Sequence, residues 1–215
     1  MFRYVFGGAI KIPGSSYVDY LMPGIFVQTV TFGAMTTGIG LADDLHKGIV
    51  DRFRSLPIAR SAVLIGRTLA DLCRNAFVVS LMAFVGVLVG WRIHTNALGL
   101  GAALLIILGY SYALSWAFAI VGLIVPDGET AQAASFPLVA PLVFASSAFV
   151  PLETMPGWLQ AFAEHQPVTV VVNAVRSLTF GGPTTVHVIQ AIAYIAGIVA
   201  VCAPIAIHKY RNTSK

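Results

Sequence analysis

Apolar residues along this chain gather into five long runs separated by short polar stretches. The first, LMPGIFVQTVTFGAMTTGIGLA at 21 to 42, opens through Pro23, which a first helical turn tolerates. The second covers about 64 to 90 and holds Arg67, Asp71 and Arg74 in its first half, so only 76 to 90, AFVVSLMAFVGVLVG, is plainly suited to lipid. The third, 98 to 125, contains no charged residue. The fourth, 131 to 149, contains Pro137 and Pro141, each of which removes a helix hydrogen bond, so a kink is expected there. The fifth is VIQAIAYIAGIVAVCAPIAI, 188 to 207, followed by a polar tail.

Hydrocarbon offers no partner for backbone N–H and C=O groups, so an apolar run of about 20 residues reads as a membrane-spanning helix. With 57% apolar residues and a mean hydropathy of +0.83, a soluble domain is excluded. The expected fold is an all-α, polytopic transmembrane helical bundle, one domain over 1 to 215 with five visible spans.

Two connections carry patterns of their own. In 43 to 61, Leu45, Ile49, Phe53 and Leu56 recur at helical spacing opposite a charged face. The expected helix begins at Asp43 and Asp44, where the dipole favours anions, and stops at Pro57. Such a helix either lies on anionic lipid headgroups or acts as a lever against a soluble partner. In 150 to 186, the run VTVVVNAV is too short to cross. Two amphipathic, interfacial or re-entrant helices are expected, one over MPGWLQAFAEH with Pro156 in its first turn and Trp158, Leu159 and Phe162 as its stripe, the other from about Pro167 to Phe180.

Positive charge sets the orientation. Lys47, Arg52, Arg54, Arg60 and Arg67 surround the first connection, and Lys209, Arg211 and Lys215 sit in the tail, so those faces are assigned to the cytoplasm. The stretches 91 to 97 and 150 to 186 have one arginine each, Arg92 and Arg176, and are assigned outside. The opening MFRYVFGGAIKIPGSSYVDY is neither a signal peptide nor a full span. Its FRYVFGGAI reads as the exit end of an earlier helix, and the expectation is that a first span has been lost.

The run YVDYLMPGIFVQTVTFGAMTTGIGLADDLHKGIVDRFRSLPIARSAVLIGRTLADLCRN resembles the membrane subunit of ABC type-2 exporters, specifically the daunorubicin/doxorubicin resistance group. FVPLETMPGWLQAFAEHQPVTVVVNAVRSL, 149 to 178, resembles the external segment of that family, with Pro156, Trp158, Pro167 and Arg176 on its recurring positions. The resemblance implies six spans in the intact family. It also implies a cytoplasmic coupling helix bearing Asp44, Lys47, Ile49, Asp51, Arg52, Phe53 and Arg54, seated in a cleft of an ABC ATPase subunit. A bacterial plasma membrane location, pairing with itself or a sister permease, and export of a lipophilic drug-like compound or lipid follow from the same resemblance. No GxxxxGK[ST] loop is present, so ATP and Mg would act through the separate ATPase and no cofactor is expected in this chain.

Other residues have two readings. Arg67, Asp71 and Arg74 share one helix face and can pair along it; they are either a solvated extension or a salt-bridged latch that transmits lever motion. Gly86 and Gly90, and Ser111, Ser115 and Ala119, are small residues at four-residue steps that allow close helix approach. Trp116, Phe118, Phe136, Pro137 and Pro141 are either packing or the wall of a greasy conduit. Glu153, Pro156, Trp158, Pro167 and Arg176 belong to external helices that either cap the bundle or gate it. Glu153 and Glu164 are too isolated for a hydrolytic pair.

Cys73 and Cys202 form no CxxC, and histidines 46, 94, 165, 187 and 208 show no ligand spacing, so no metal site is expected. The net charge of +4 is gathered on the cytoplasmic side, and nucleic acid is an unnecessary partner. A defective or scaffolding fragment remains an alternative. An ion-coupled carrier lacks the ionisable residues it needs, since spans one, three, four and five have none in their cores.

Overall fold

The computed structural model describes residues 17 to 48, 60 to 92, 95 to 181 and 183 to 212. Among them run seven α-helices: α1 (Tyr17–His46), α2 (Arg60–Val89), α3 (Ala97–Gly122), α4 (Gly128–Phe144), α5 (Gly157–His165), α6 (Pro167–Phe180) and α7 (Thr184–Asn212). A 3-10 turn, Leu152–Thr154, precedes α5. Among the described residues all regular secondary structure is helical, and α1, α2, α3 and α7 each contain a stretch long and apolar enough to cross a membrane. The run 2 to 10, read above as the end of an earlier helix, lies outside the described residues.

The fourth expected span is shorter than its apolar run. Helix α4 has 17 residues and rises about 26 Å, a little less than a hydrocarbon core of about 30 Å. The chain then turns through 145 to 149 because polar side chains hold the turn. Ser146 Oγ donates to the Val143 carbonyl at 2.6 Å and accepts from the Ala148 amide at 3.1 Å, while the Gln166 side chain donates to the Ala145 carbonyl. Pro137 and Pro141 both lie inside α4.

Helix α1 also departs from expectation at both ends. Pro23 lies inside it rather than at its start, since the helix reaches back to Tyr17, and the Asp19 carboxylate accepts from the Arg92 amide at 3.0 Å. At the other end, Asp43 and Asp44 do not begin a new helix. They lie near the end of α1, which continues to His46 and stops where Gly48 takes a φ of 68°, a left-handed conformation that glycine adopts without a Cβ clash. Helix α3 starts where the Asn96 side chain accepts from the Gly99 amide at 3.0 Å. Asn96→Ala is expected to cost about 1 kcal/mol, read as a lowered thermal midpoint of the purified protein; an unchanged midpoint would show that water caps this end equally well.

Helices α1 and α3 form the centre. Each has 56% of its spanning stretch buried, against 6% for α7, and α3 packs most extensively on α1. The core between them gathers Phe26, Val27, Val30, Ile107 and Tyr110, with Val171 and Val175 arriving from α6. Phe26 meets Trp91 edge to face at 5.2 Å. Nearer the end of the bundle that the placement of positive charge assigns to the cytoplasm, the inner end, α1 and α3 come together through two glycines. A Cβ on Gly38 would overlap the Phe118 carbonyl, and one on Gly122 would overlap the Gly38 carbonyl.

Helices α2 and α7 turn large apolar side chains outward, including Phe77 (70% exposed) and Leu88 (71%) on α2 and Ile189 and Val201 on α7. Apolar surface on this scale is stable only against lipid tails or another apolar chain.

Candidate functional site

At the inner end, two neighbouring acids of α1 reach two different helices. The Asp43 carboxylate accepts from the Gly128 amide at 3.1 Å, holding the first turn of α4. The Asp44 carboxylate forms an ion pair and hydrogen bond with Arg67 of α2. The helix itself arranges this divergence, because consecutive residues point about 100° apart. Asp127, the N-cap of α4, stands beside them; the Thr130 amide, donating at 2.7 Å, and the Thr130 hydroxyl hold its carboxyl below the usual range.

One to two turns deeper, a polar ladder ties α1 to α2 and α3. Thr37 donates to Asp71 Oδ2 at 2.6 Å, and Asp71 Oδ1 lies 3.4 Å from Arg74. The Arg74 guanidinium returns to α1, donating to the Gly33 carbonyl at 3.0 Å and to the Thr36 hydroxyl. Asn75 donates to Ser111 of α3 at 2.6 Å, and Ser115 donates to the Ser111 carbonyl at 3.0 Å. The three charged residues thus divide their work: Asp71 and Arg74 pair along α2, whereas Arg67 pairs across to α1. Inside a bundle such bonds work as fixed links between helices, since each unmade one would leave a polar group facing lipid or core.

Of the remaining expected coupling residues, Lys47 is exposed in the turn after α1. Ile49, Asp51, Arg52, Phe53 and Arg54 lie outside the described residues.

Among the described residues, the five expected conduit residues are not brought together on one surface. Trp116 and Phe118 are 2% and 4% exposed and serve as packing. Trp116 lies edge to face with Tyr112 in a cluster with Leu41, Leu64, Ala119 and Tyr210. Phe136, Pro137 and Pro141 occupy the outward face of α4, away from that cluster. The physical reason is the position of the second half of α3, which packs against its neighbours, so Trp116 and Phe118 fill the core.

At the outer end the central residue is Arg176 of α6. Its Nη2 donates to the carbonyls of Tyr20 at 3.0 Å and Ser147 at 2.7 Å, and Nε donates to Tyr20 at 3.2 Å. Nη2 also reaches the Ala148 carbonyl at 3.4 Å, while Nη1 donates to Ser147 Oγ at 3.3 Å. The guanidinium carbon stands 3.5 Å from the centre of the Tyr20 ring, a cation–π distance. One side chain therefore clasps the start of α1 and the turn after α4 to α6. Beside it opens a cavity of about 480 Å³ that Arg176 and Glu153 both line.

The other expected gate residues are spread around this point. Glu153 sits in the 3-10 turn, Pro156 is the N-cap of α5 rather than its first turn, Pro167 opens α6, and Trp158 is 75% exposed on α5, outside the cavity lining. Tyr20, Ser147, Thr37 and Ser111 were not singled out as site residues from the sequence. Asn75 had a legible signal, since it is polar within an apolar run and four residues after Asp71, on the same helix face.

A family profile described as "ABC-2 type transporter" matches residues 1–180. The chain is 37% identical over 212 residues to the daunorubicin resistance ABC transporter permease protein DrrB1 of Streptomyces coeruleorubidus, covering 99% of this chain and 75% of that relative. It is 32% identical over 197 residues to the probable doxorubicin resistance ABC transporter permease protein DrrC of Mycobacterium tuberculosis, covering 87% of this chain and 70% of that one. A putative transport permease, ycf38 of Cyanophora paradoxa, is 27% identical over 177 residues, 76% of this chain and 57% of its own length.

Proposed function

The chain belongs to the ABC-2 type transporter family, and from that premise we propose that it exports a hydrophobic, drug-like compound or lipid. It is a multi-pass permease subunit of the plasma membrane, and the ATPase of such a transporter is a separate subunit. The cargo proposal draws on the drug-resistance permeases to which the chain is similar. ATP and Mg act in the ATPase, and this chain's part is to turn the closure of that subunit into helix movement.

The observation that carries this reading is the divergence of Asp43 and Asp44. A push on the segment after α1 would move the inner end of α1, and the two acids would carry α4 and α2 with it. The ladder of Thr37, Asp71, Arg74, Asn75 and Ser111 would then take the displacement into the middle of the bundle, past the inner crossing where α1 and α3 are locked at Gly38 and Gly122. Release at the outer end requires the Arg176 clasp to yield. Bistable packing of this kind switches access from one side to the other rather than deforming smoothly. A second permease, either a copy or a sister chain, would complete the pathway, and the uncovered faces of α2 and α7 support such a pairing alongside lipid.

Inverted vesicles holding this chain and its ATPase provide the test, with ATP-driven uptake of a fluorescent anthracycline as the readout. Asp44 and Arg67 are partly exposed, so their pair contributes only about 0–1 kcal/mol to stability, and its loss should appear in transport rather than in yield. Asp44→Arg and Arg67→Asp are each expected to lower uptake several-fold, and the double exchange to restore much of it. Equal loss in the double variant would show that the pair does not transmit. Asp71→Ala should lower uptake at unchanged expression. Phe53→Asp and Arg54→Glu should weaken copurification with the ATPase, and wild-type binding by both would remove the coupling role from this segment.

A further inference from the structure

The outer cavity is lined by a half-buried positive charge, Arg176, that no carboxylate of the described residues approaches within ion-pair distance. Arginine stays protonated at any physiological pH, and a charge withdrawn from water is costly unless opposed. The carbonyls of Tyr20, Ser147 and Ala148 supply dipoles, not a counter-charge. Nη1 uses one N–H on Ser147 Oγ and keeps the other.

Two further donors line the same space. Asn173 accepts from Ser147 through Oδ1 at 3.3 Å, which leaves its amide N–H groups for the cavity. His187, near the start of α7, also lines the cavity, and an imidazole can donate to an anion. Phe180 and Pro183 form an apolar side, and the volume of about 480 Å³ is ample for a phosphate with part of what it is attached to. One acid lines the cavity as well, Glu153. It stands exposed on the 3-10 turn, where water and salt screen it, whereas Arg176 is half-buried, its guanidinium held between α1 and the turn after α4, and is screened less.

We propose that this cavity binds a phosphate oxyanion, held by Arg176, Asn173 and His187 at the level of the outer lipid headgroups. The source is either a phospholipid headgroup of the outer leaflet or a soluble phosphate, and the two share this chemistry. Glu153 opposes the ligand and tunes the affinity downward. The site stands whether or not the chain couples to an ATPase as proposed above.

The purified full-length chain is titrated in detergent with inorganic phosphate and, separately, with dihexanoyl phosphatidylglycerol, with binding followed by calorimetry. Saturable binding of at least one is expected; phosphate binding assigns a soluble source, and binding of the lipid alone assigns the headgroup. Asn173→Leu and His187→Ala should each weaken binding about tenfold, as loss of a hydrogen bond to a charged group does. Glu153→Gln should tighten it. Arg176→Gln should abolish it, and the other three variants decide the matter if that one does not fold. No saturable binding in either arm, affinities unmoved by all the variants, or weaker binding by Glu153→Gln would each overturn the proposal, the last by showing a site for cations.

Discussion

Gly122→Val is expected to eliminate the folded bundle. At that position a Cβ would enter the Gly38 carbonyl of α1, and the obstacle is backbone, which cannot swing aside as a side chain would. Overpacking that side chains can absorb costs typically 1–3 kcal/mol; here two helices must separate along their principal contact, so the cost should exceed about 3 kcal/mol. Yield of monodisperse protein on size exclusion in detergent is the readout, and near-complete loss is expected. Gly38→Val should behave alike. Gly197→Ala is the control, because a Cβ there meets nothing within 4 Å, and replacing a glycine inside a helix should stabilise by about 0.5–1 kcal/mol. If Gly122→Val accumulates as well as this control, the close crossing of α1 and α3 is wrong.

Arg176→Ala should have the second largest effect. It leaves the carbonyls of Tyr20, Ser147 and Ala148 without this donor in a part-buried setting. Each polar group so abandoned costs about 1–3 kcal/mol, so a drop of several kcal/mol is expected, seen as a large fall in thermal midpoint and faster proteolysis in 145 to 156. Arg176→Lys keeps the charge but replaces a planar fork with a compact ammonium, and should recover only part of the loss. A wild-type midpoint in Arg176→Ala would mean that water replaces the guanidinium at no cost. The clasp would then have no structural role.

The apolar runs revealed α1, α2, α3 and α7, because a lipid-spanning helix is set mainly by length and hydropathy. The pattern of 150 to 186 likewise placed α5 and α6, whose prolines sit at or next to their first turns. What the pattern missed depends on contacts distant in sequence. Asp43 resembles a helix start when read locally, yet its carboxylate caps α4 instead, through the amide of Gly128. The end of α4 is fixed by Ser146 and by Gln166 from beyond α5, not by loss of hydropathy in 145 to 149. Trp116 and Phe136 are both large aromatics in apolar runs, and only the enclosure of α3 and the outward position of α4 separate packing from surface. The pairing of Arg67 with Asp44, rather than along its own helix, was open for the same reason: spacing shows which residues can meet, and tertiary packing selects among them.

The Arg176 clasp has an uneven effect on how the chain can vary. Most of its grip is on main-chain oxygens, which every amino acid supplies. A substitution at 148 or 147 therefore leaves the clasp's main-chain acceptors in place, although both side chains are buried and packing holds them small, and at position 20 only the ring beneath the guanidinium is lost. Position 176 has no such freedom, since no other side chain offers a planar set of donors with that reach. In a library of all single substitutions selected for folding, position 176 should tolerate nothing but arginine, whereas positions 147 and 148 should tolerate small residues and position 20 a range of side chains.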